Sequence, residues 1–166
     1  MHLGTLREAT HNLAEAERLY QAALTIYEHA YGSDHPDVAW CLDYLGGLRM
    51  QRSELPAARD MFQRAAEILA TVEHSPMLQM SVLSNLAVVL HLQGSQTKAG
   101  QTYRKALKIC RKFFGKEHPT TLMLERNLTQ LDETRQAKRR DIQSGQTTPR
   151  RVIVQPTYLP INGQAM

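Results

Sequence analysis

The chain has 166 residues, 42% of them hydrophobic and 6% aromatic, with 20 Lys and Arg against 16 Asp and Glu for a formal charge of +4. That length suits one domain with a packed core, and no run of 18 apolar residues offers a membrane-crossing helix. The opening MHLGTLREAT lacks the basic, apolar and cleavage regions of a secretory signal.

In chain order, apolar residues recurring three and four apart predict helices at 13–31, 36–51, 54–73, 76–93, 96–114 and 119–138. The first is expected to start at an Asn12/Glu15 cap, and the later ones near Ser53, Ser75 and Ser95, whose side-chain oxygens suit free N–H groups. Gly32, Gly94 and Gly115 stand where helices should end. His35-Pro36, His74-Ser75-Pro76 and His118-Pro119 punctuate the chain, since proline ends one helix and is tolerated in the first turn of the next.

One pattern occurs three times. Ala16, Tyr20, Ala23, Leu24 and Ile26 are followed 42 residues on by Ala58, Phe62, Ala65, Ala66 and Ile68, and 41 further on by Ala99, Tyr103, Ala106, Leu107 and Ile109. Such self-similarity marks stacked helical hairpins, so the expected fold is an all-α solenoid over 1–138 with a basic, proline-containing tail at 139–166. Leu3-Gly4 aligns with Leu45-Gly46, which puts Met1 inside the first helix of a repeat that is short at its start. Cys41 and Cys110, in apolar helical surroundings, read as reduced core thiols.

Leu42, Leu45, Gly46, Ala58, Phe62 and Ala65 fall in the order of a tetratricopeptide repeat, as do Leu83, Leu86, Ala87, Ala99, Tyr103 and Ala106. With the long period and the strings DHPDVA, LYQAALTIYEHAYG and LSNLAVVL, residues 3–131 resemble the repeats of kinesin light chains. That resemblance implies a non-catalytic adaptor in the cytoplasm that holds a peptide or helix of another protein and needs no cofactor. Ile68 to Pro76 is shortened to eight positions where Ile26 to Pro36 and Ile109 to Pro119 span ten. This segment, with the MSVLSNLAVVL after it, is similar to a mitochondrial branch of these repeats and implies an alternative role in respiratory-complex assembly.

The resemblance also implies a partner groove on the first helix of each pair. Its positions are Trp40, Asp43, Gly47, Met50 and Gln51, then Ser81, Ser84, Val88, His91 and Leu92, then Met123, Arg126, Gln130 and Glu133. Trp40, Val88 and Leu92, if exposed, would form an apolar strip, whereas Val82, Leu86, Val89 and Leu90 read as simple core. The Lys/Asn/Arg clamp of chaperone-binding repeats is missing, its slots holding Glu8, Asp43, Ser84, Ala9, Gly47 and Val88. Of the asparagine pair with which kinesin light chains meet acidic cargo, Asn85 and Asn127 fill one slot while Ser84 and Arg126 replace the other.

Charge is laid out unevenly. Residues 1–73 hold six basic and eleven acidic side chains, while 96–116 hold seven basic and none acidic. Lys98, Arg104, Lys105, Lys108, Arg111 and Lys112 form a basic patch suited either to solvent or to an acidic partner. Without aromatic residues to stack bases beside it, nucleic acid is the lesser reading, as an accessory role for this helix and the tail. Tyr158-Leu159-Pro160 of the tail is a candidate to fold back into the groove. No nucleophile motif, phosphate-cradling glycine loop or metal-ligand spacing accompanies the seven histidines, and paired carboxylates such as Glu15 and Glu17 read as solvated.

Overall fold

The computed structural model describes the backbone of residues 2–71 and 76–144 and the side chains of 13–71 and 76–143. Six α-helices make up the described residues: α1 (His2–Tyr31), α2 (Pro36–Gln51), α3 (Leu55–Thr71), α4 (Pro76–Leu92), α5 (Gln96–Phe114) and α6 (Pro119–Ser144). They fall into two compact units, residues 1–74 with α1–α3 and residues 75–166 with α4–α6.

In the first unit α2 and α3 form a hairpin against which α1 also packs, through α2. Val38, Leu42 and Leu45 of α2 and Ala58, Phe62, Ala65 and Leu69 of α3 are buried, the repeated small and large slots seen in the sequence. Gly46 is needed for the approach: a Cβ there would lie 2.8 Å from Cε1 of Phe62. Ion pairs tie the helices at their rims. Glu17 of α1 takes Arg49 and Arg52 at 2.7 Å each, Arg49 also reaches Glu54 at 2.9 Å, and Arg64 of α3 donates to Glu28 of α1 at 2.7 Å. Glu17 is therefore an interhelical clasp rather than a solvated carboxylate, while Glu15 stays on the exposed side with Arg18.

In the second unit α4 and α5 repeat the hairpin, and α6 packs along α5. Val82, Leu86, Val89 and Leu90 are buried, as are Tyr103, Ala106 and Leu107 opposite and Leu124 and Leu131 of α6. Close packing of α5 on α6 uses Gly100, where a Cβ would stand 3.3 Å from Leu131. Cys110 Sγ lies 3.1 Å from Thr121 Oγ1, whose hydroxyl donates to the Gly115 carbonyl at 2.7 Å. Both cysteines are free and buried, as expected of core thiols.

The histidines of two His-Pro turns are themselves the caps. His35 Nδ1 accepts from the Asp37 N–H at 3.2 Å and His118 Nδ1 from the Thr120 N–H at 3.3 Å, each satisfying a donor of the first turn that proline leaves behind. Residues 72–75, with the third turn, lie outside the described residues, as does Ser75. Gly32, Gly94 and Gly115 end helices with positive φ, as expected, and Ser53 does so as well with φ 62°. Ser95 occupies an N-cap position without a side-chain cap bond, and α3 starts from Glu54, whose carbonyl accepts from Ala58.

Two boundaries differ from expectation. α1 is one helix of 30 residues that passes straight through Asn12, so no cap and no hairpin break occur there. α6 runs past residue 138 to Ser144, taking Lys138, Arg139 and Arg140 into the helix, and the rest of the expected tail lies outside the described residues.

Candidate functional site

Three aromatic rings converge where α1 meets α2. Trp40 and Tyr44 stand four residues apart on one face of α2, and Tyr20 of α1 reaches both. Tyr20 stacks on Tyr44 at 4.7 Å between centroids with planes 16° apart, meets Trp40 edge-on at 5.5 Å, and Trp40 lies 4.6 Å from Tyr44. All three rings are half-buried, so part of the cluster's surface reaches solvent. Burial holds the Tyr20 and Tyr44 hydroxyls above the ordinary phenol range, which keeps them neutral donors and acceptors. Preorganised Trp and Tyr rings of this kind bring large contact area at little entropic cost.

The expected groove residues divide by burial. In α2, Asp43, Gly47 and Met50 are buried while Gln51 is exposed. In α4, Ser81, Ser84, Val88 and His91 are buried and Leu92 is half-buried. Val88, at 1% exposure, therefore does not take part in an exposed apolar strip with Trp40 and Leu92. In α6, Met123 and Gln130 are half-buried, and Arg126 and Glu133 are exposed. Ser84 Oγ spends its hydrogen on the Met80 carbonyl one turn back, at 2.6 Å. The structure brings Trp40 together with Tyr20 and Tyr44, two residues that the groove positions did not include. Trp40 and Tyr44 at i, i+4 were the available signal.

His91 is buried edge-on against Tyr103, with ring centroids 6.2 Å apart, and neither of its nitrogens has a hydrogen-bond partner among the described residues. Burial pushes its pKa below the usual imidazole value and pushes the Tyr103 phenol up. The Tyr103 hydroxyl and Asn127 Nδ2 are likewise buried without hydrogen-bond partners among the described residues.

On α5, Lys98, Arg104, Lys105, Lys108, Arg111 and Lys112 are all exposed. Arg111 pairs with Glu125 at 2.7 Å and Arg104 meets Asp132 at 3.7 Å, both on α6. Among the described residues there is no group of three or more His, Cys, Asp or Glu placed to hold a metal, and no helix is long and apolar enough to cross a membrane.

Comparison with known proteins gives the architecture its kinship. Similar stretches occur in tetratricopeptide repeat protein 19, mitochondrial, of Homo sapiens, 35% identical over 95 residues, which is 57% of this chain and 24% of that protein. The Rattus norvegicus and Mus musculus proteins of the same name are each 33% identical over 96 residues, 58% of this chain and 26% of theirs. The matched region thus amounts to about a quarter of the length of these relatives. The tetratricopeptide repeat family model matches residues 1–71 and 78–140, and with the paired helices and the Gly46/Phe62 slot already described, the chain belongs to the tetratricopeptide repeat family.

Proposed function

We propose that this chain is a non-catalytic protein-binding scaffold, and that a peptide or helix of a partner docks on the first unit with its anchor at Trp40. The half-buried Tyr20/Trp40/Tyr44 cluster carries this reading, because it offers a packed aromatic surface of the kind that anchors a partner side chain. The test is a pull-down or proximity-labelling comparison of the intact chain with Trp40→Ala and, separately, Leu92→Ala. Partners that vanish with Trp40→Ala while helical content holds support the scaffold. Partners unchanged by it remove the anchor.

A second reading sets this scaffold in mitochondria, where it would hold subunits of a respiratory complex during assembly. It is favoured over a cytoplasmic adaptor by the relatives, whose names carry the word mitochondrial. Fractionation of the full-length product decides between them: a cytosolic product would retire the mitochondrial reading.

A further inference from the structure

Helix α5 carries two rows of positive charge with the same spacing and different fates. Arg104 and Arg111, seven residues apart, face α6 and meet Asp132 and Glu125, which are also seven apart. The pairing runs antiparallel, the later arginine meeting the earlier carboxylate. Seven residues are nearly two turns, about 10 Å along an α-helix, so the pairs line up along the α5/α6 seam. Lys98, Lys105 and Lys112 repeat that interval on the solvent side of α5, all three exposed. No ion pair links any of these three lysines to a carboxylate among the described residues. Contrary to the expectation of no aromatic beside this helix, Phe113, 52% exposed, stands at the end of the row with the Lys112 ammonium 5.1 Å from its ring centroid.

We infer that the Lys98/Lys105/Lys112 row is a docking face for an acidic amphipathic helix of a partner protein, with carboxylates seven residues apart and an apolar side chain that covers Phe113. The α5/α6 seam is the internal precedent: a helix bearing carboxylates at that interval already lies along α5 and matches two of its cations. Phosphate backbones fit less well, because Phe113 is the only exposed aromatic ring of α5 rather than one of a stacking series. A second copy fits less well too. Glu15, Glu17, Glu28, Glu54 and Asp60 of the acidic first unit are already paired with arginines of their own chain.

The test titrates the isotope-labelled full chain with two synthetic helical peptides of about 22 residues, long enough to hold a helix. One carries three Glu at seven-residue spacing and a Leu beside the last, and the other has the same composition shuffled. Amide shifts should map to α5, with the matched peptide bound about tenfold more tightly than the shuffled one, the scale three exposed ion pairs supply together. The variant Lys98→Glu/Lys105→Glu/Lys112→Glu should lose that preference. Lys116→Glu/Lys138→Glu/Arg139→Glu, with the same change in net charge, should keep it. Equal affinity for the two peptides overturns the inference on the unmodified chain, whatever the variants do. So does tighter binding of poly(U) RNA to the same face, or concentration-dependent shifts there without peptide, which would make the occupant another copy.

Discussion

The Cα of Gly46 faces the ring of Phe62 so closely that a single added carbon would stand 2.8 Å from Cε1 and 3.0 Å from both Cδ1 and Cζ. Phe62 is completely buried, so its ring has no solvent side to retreat to. Gly46→Ala should therefore destabilise the first unit by about 1–2 kcal/mol, overpacking outweighing the better helix propensity of alanine. Urea unfolding followed by Trp40 fluorescence reads this. A stabilised variant would mean that α2 and α3 part easily. Ala87 and Tyr103 occupy the matching slots of the next copy, both fully buried, so the requirement belongs to this pair rather than to the repeat in general.

Ser53 ends α2 with φ 62°, in the slot that Gly94 fills with φ 76° at the end of α4. A side chain in this left-handed region costs about 1 kcal/mol that glycine does not. Ser53→Gly should raise stability by roughly 0.5–1 kcal/mol and Gly94→Ala should lower it by a similar amount. The thermal midpoints of the two variants should move in opposite directions.

His91 should make the second unit acid-sensitive. Burial holds its pKa in the folded chain below the ordinary value of 6.5, and it has no hydrogen-bond partner among the described residues to stabilise a charge. As pH falls through about 6.5 the unfolded chain takes a proton that the folded one refuses, so stability declines toward acid. Above that pH the term is absent. His91→Phe should flatten the dependence of the urea midpoint between pH 7.5 and 5, and an unchanged slope would assign it to other histidines.

Glu17 joins α1 to α2 through two arginines and is itself only 20% exposed. Glu17→Ala should cost about 1 kcal/mol, shrinking as salt is added. A double-mutant cycle with Arg49→Ala isolates the coupling from the pair that Arg49 keeps with Glu54.

Much of this was legible in the residues. The starts of α2 and α4 and the ends of α4 and α5 follow from proline and glycine punctuation, which acts on the backbone directly, and the buried slots follow from apolar spacing. The missed junction at Asn12 shows the limit of a capping signal. Between Gly4 and Gly32 no glycine or proline interrupts the chain, and His11 stands where Ser53 and Gly94 supply the left-handed turn in the later copies. A cap without a breaker did not stop the helix. Groove positions carried over by resemblance named Trp40 but neither tyrosine beside it, because ring stacking between α1 and α2 depends on how two helices are rotated, which spacing along either one does not encode. The seven-residue lysine row was visible as a charge run. Its meaning needed α6, whose carboxylates show which cations are already taken.

One buried thiol sits in each compact unit, Cys41 in the first and Cys110 in the second. Burial and the nearby Asp37 and Glu28 push the Cys41 thiol up to about 11, so little reactive thiolate exists in the closed state. Labelling by a thiol reagent then waits for the chain around each cysteine to open, and mass spectrometry can tell the two sites apart. The protein thus carries its own pair of stopwatches, one per half. If both cysteines become labelled at one rate the repeats open as a single cooperative block, and if Cys110 is labelled first the half bearing the lysine row is the one that breathes.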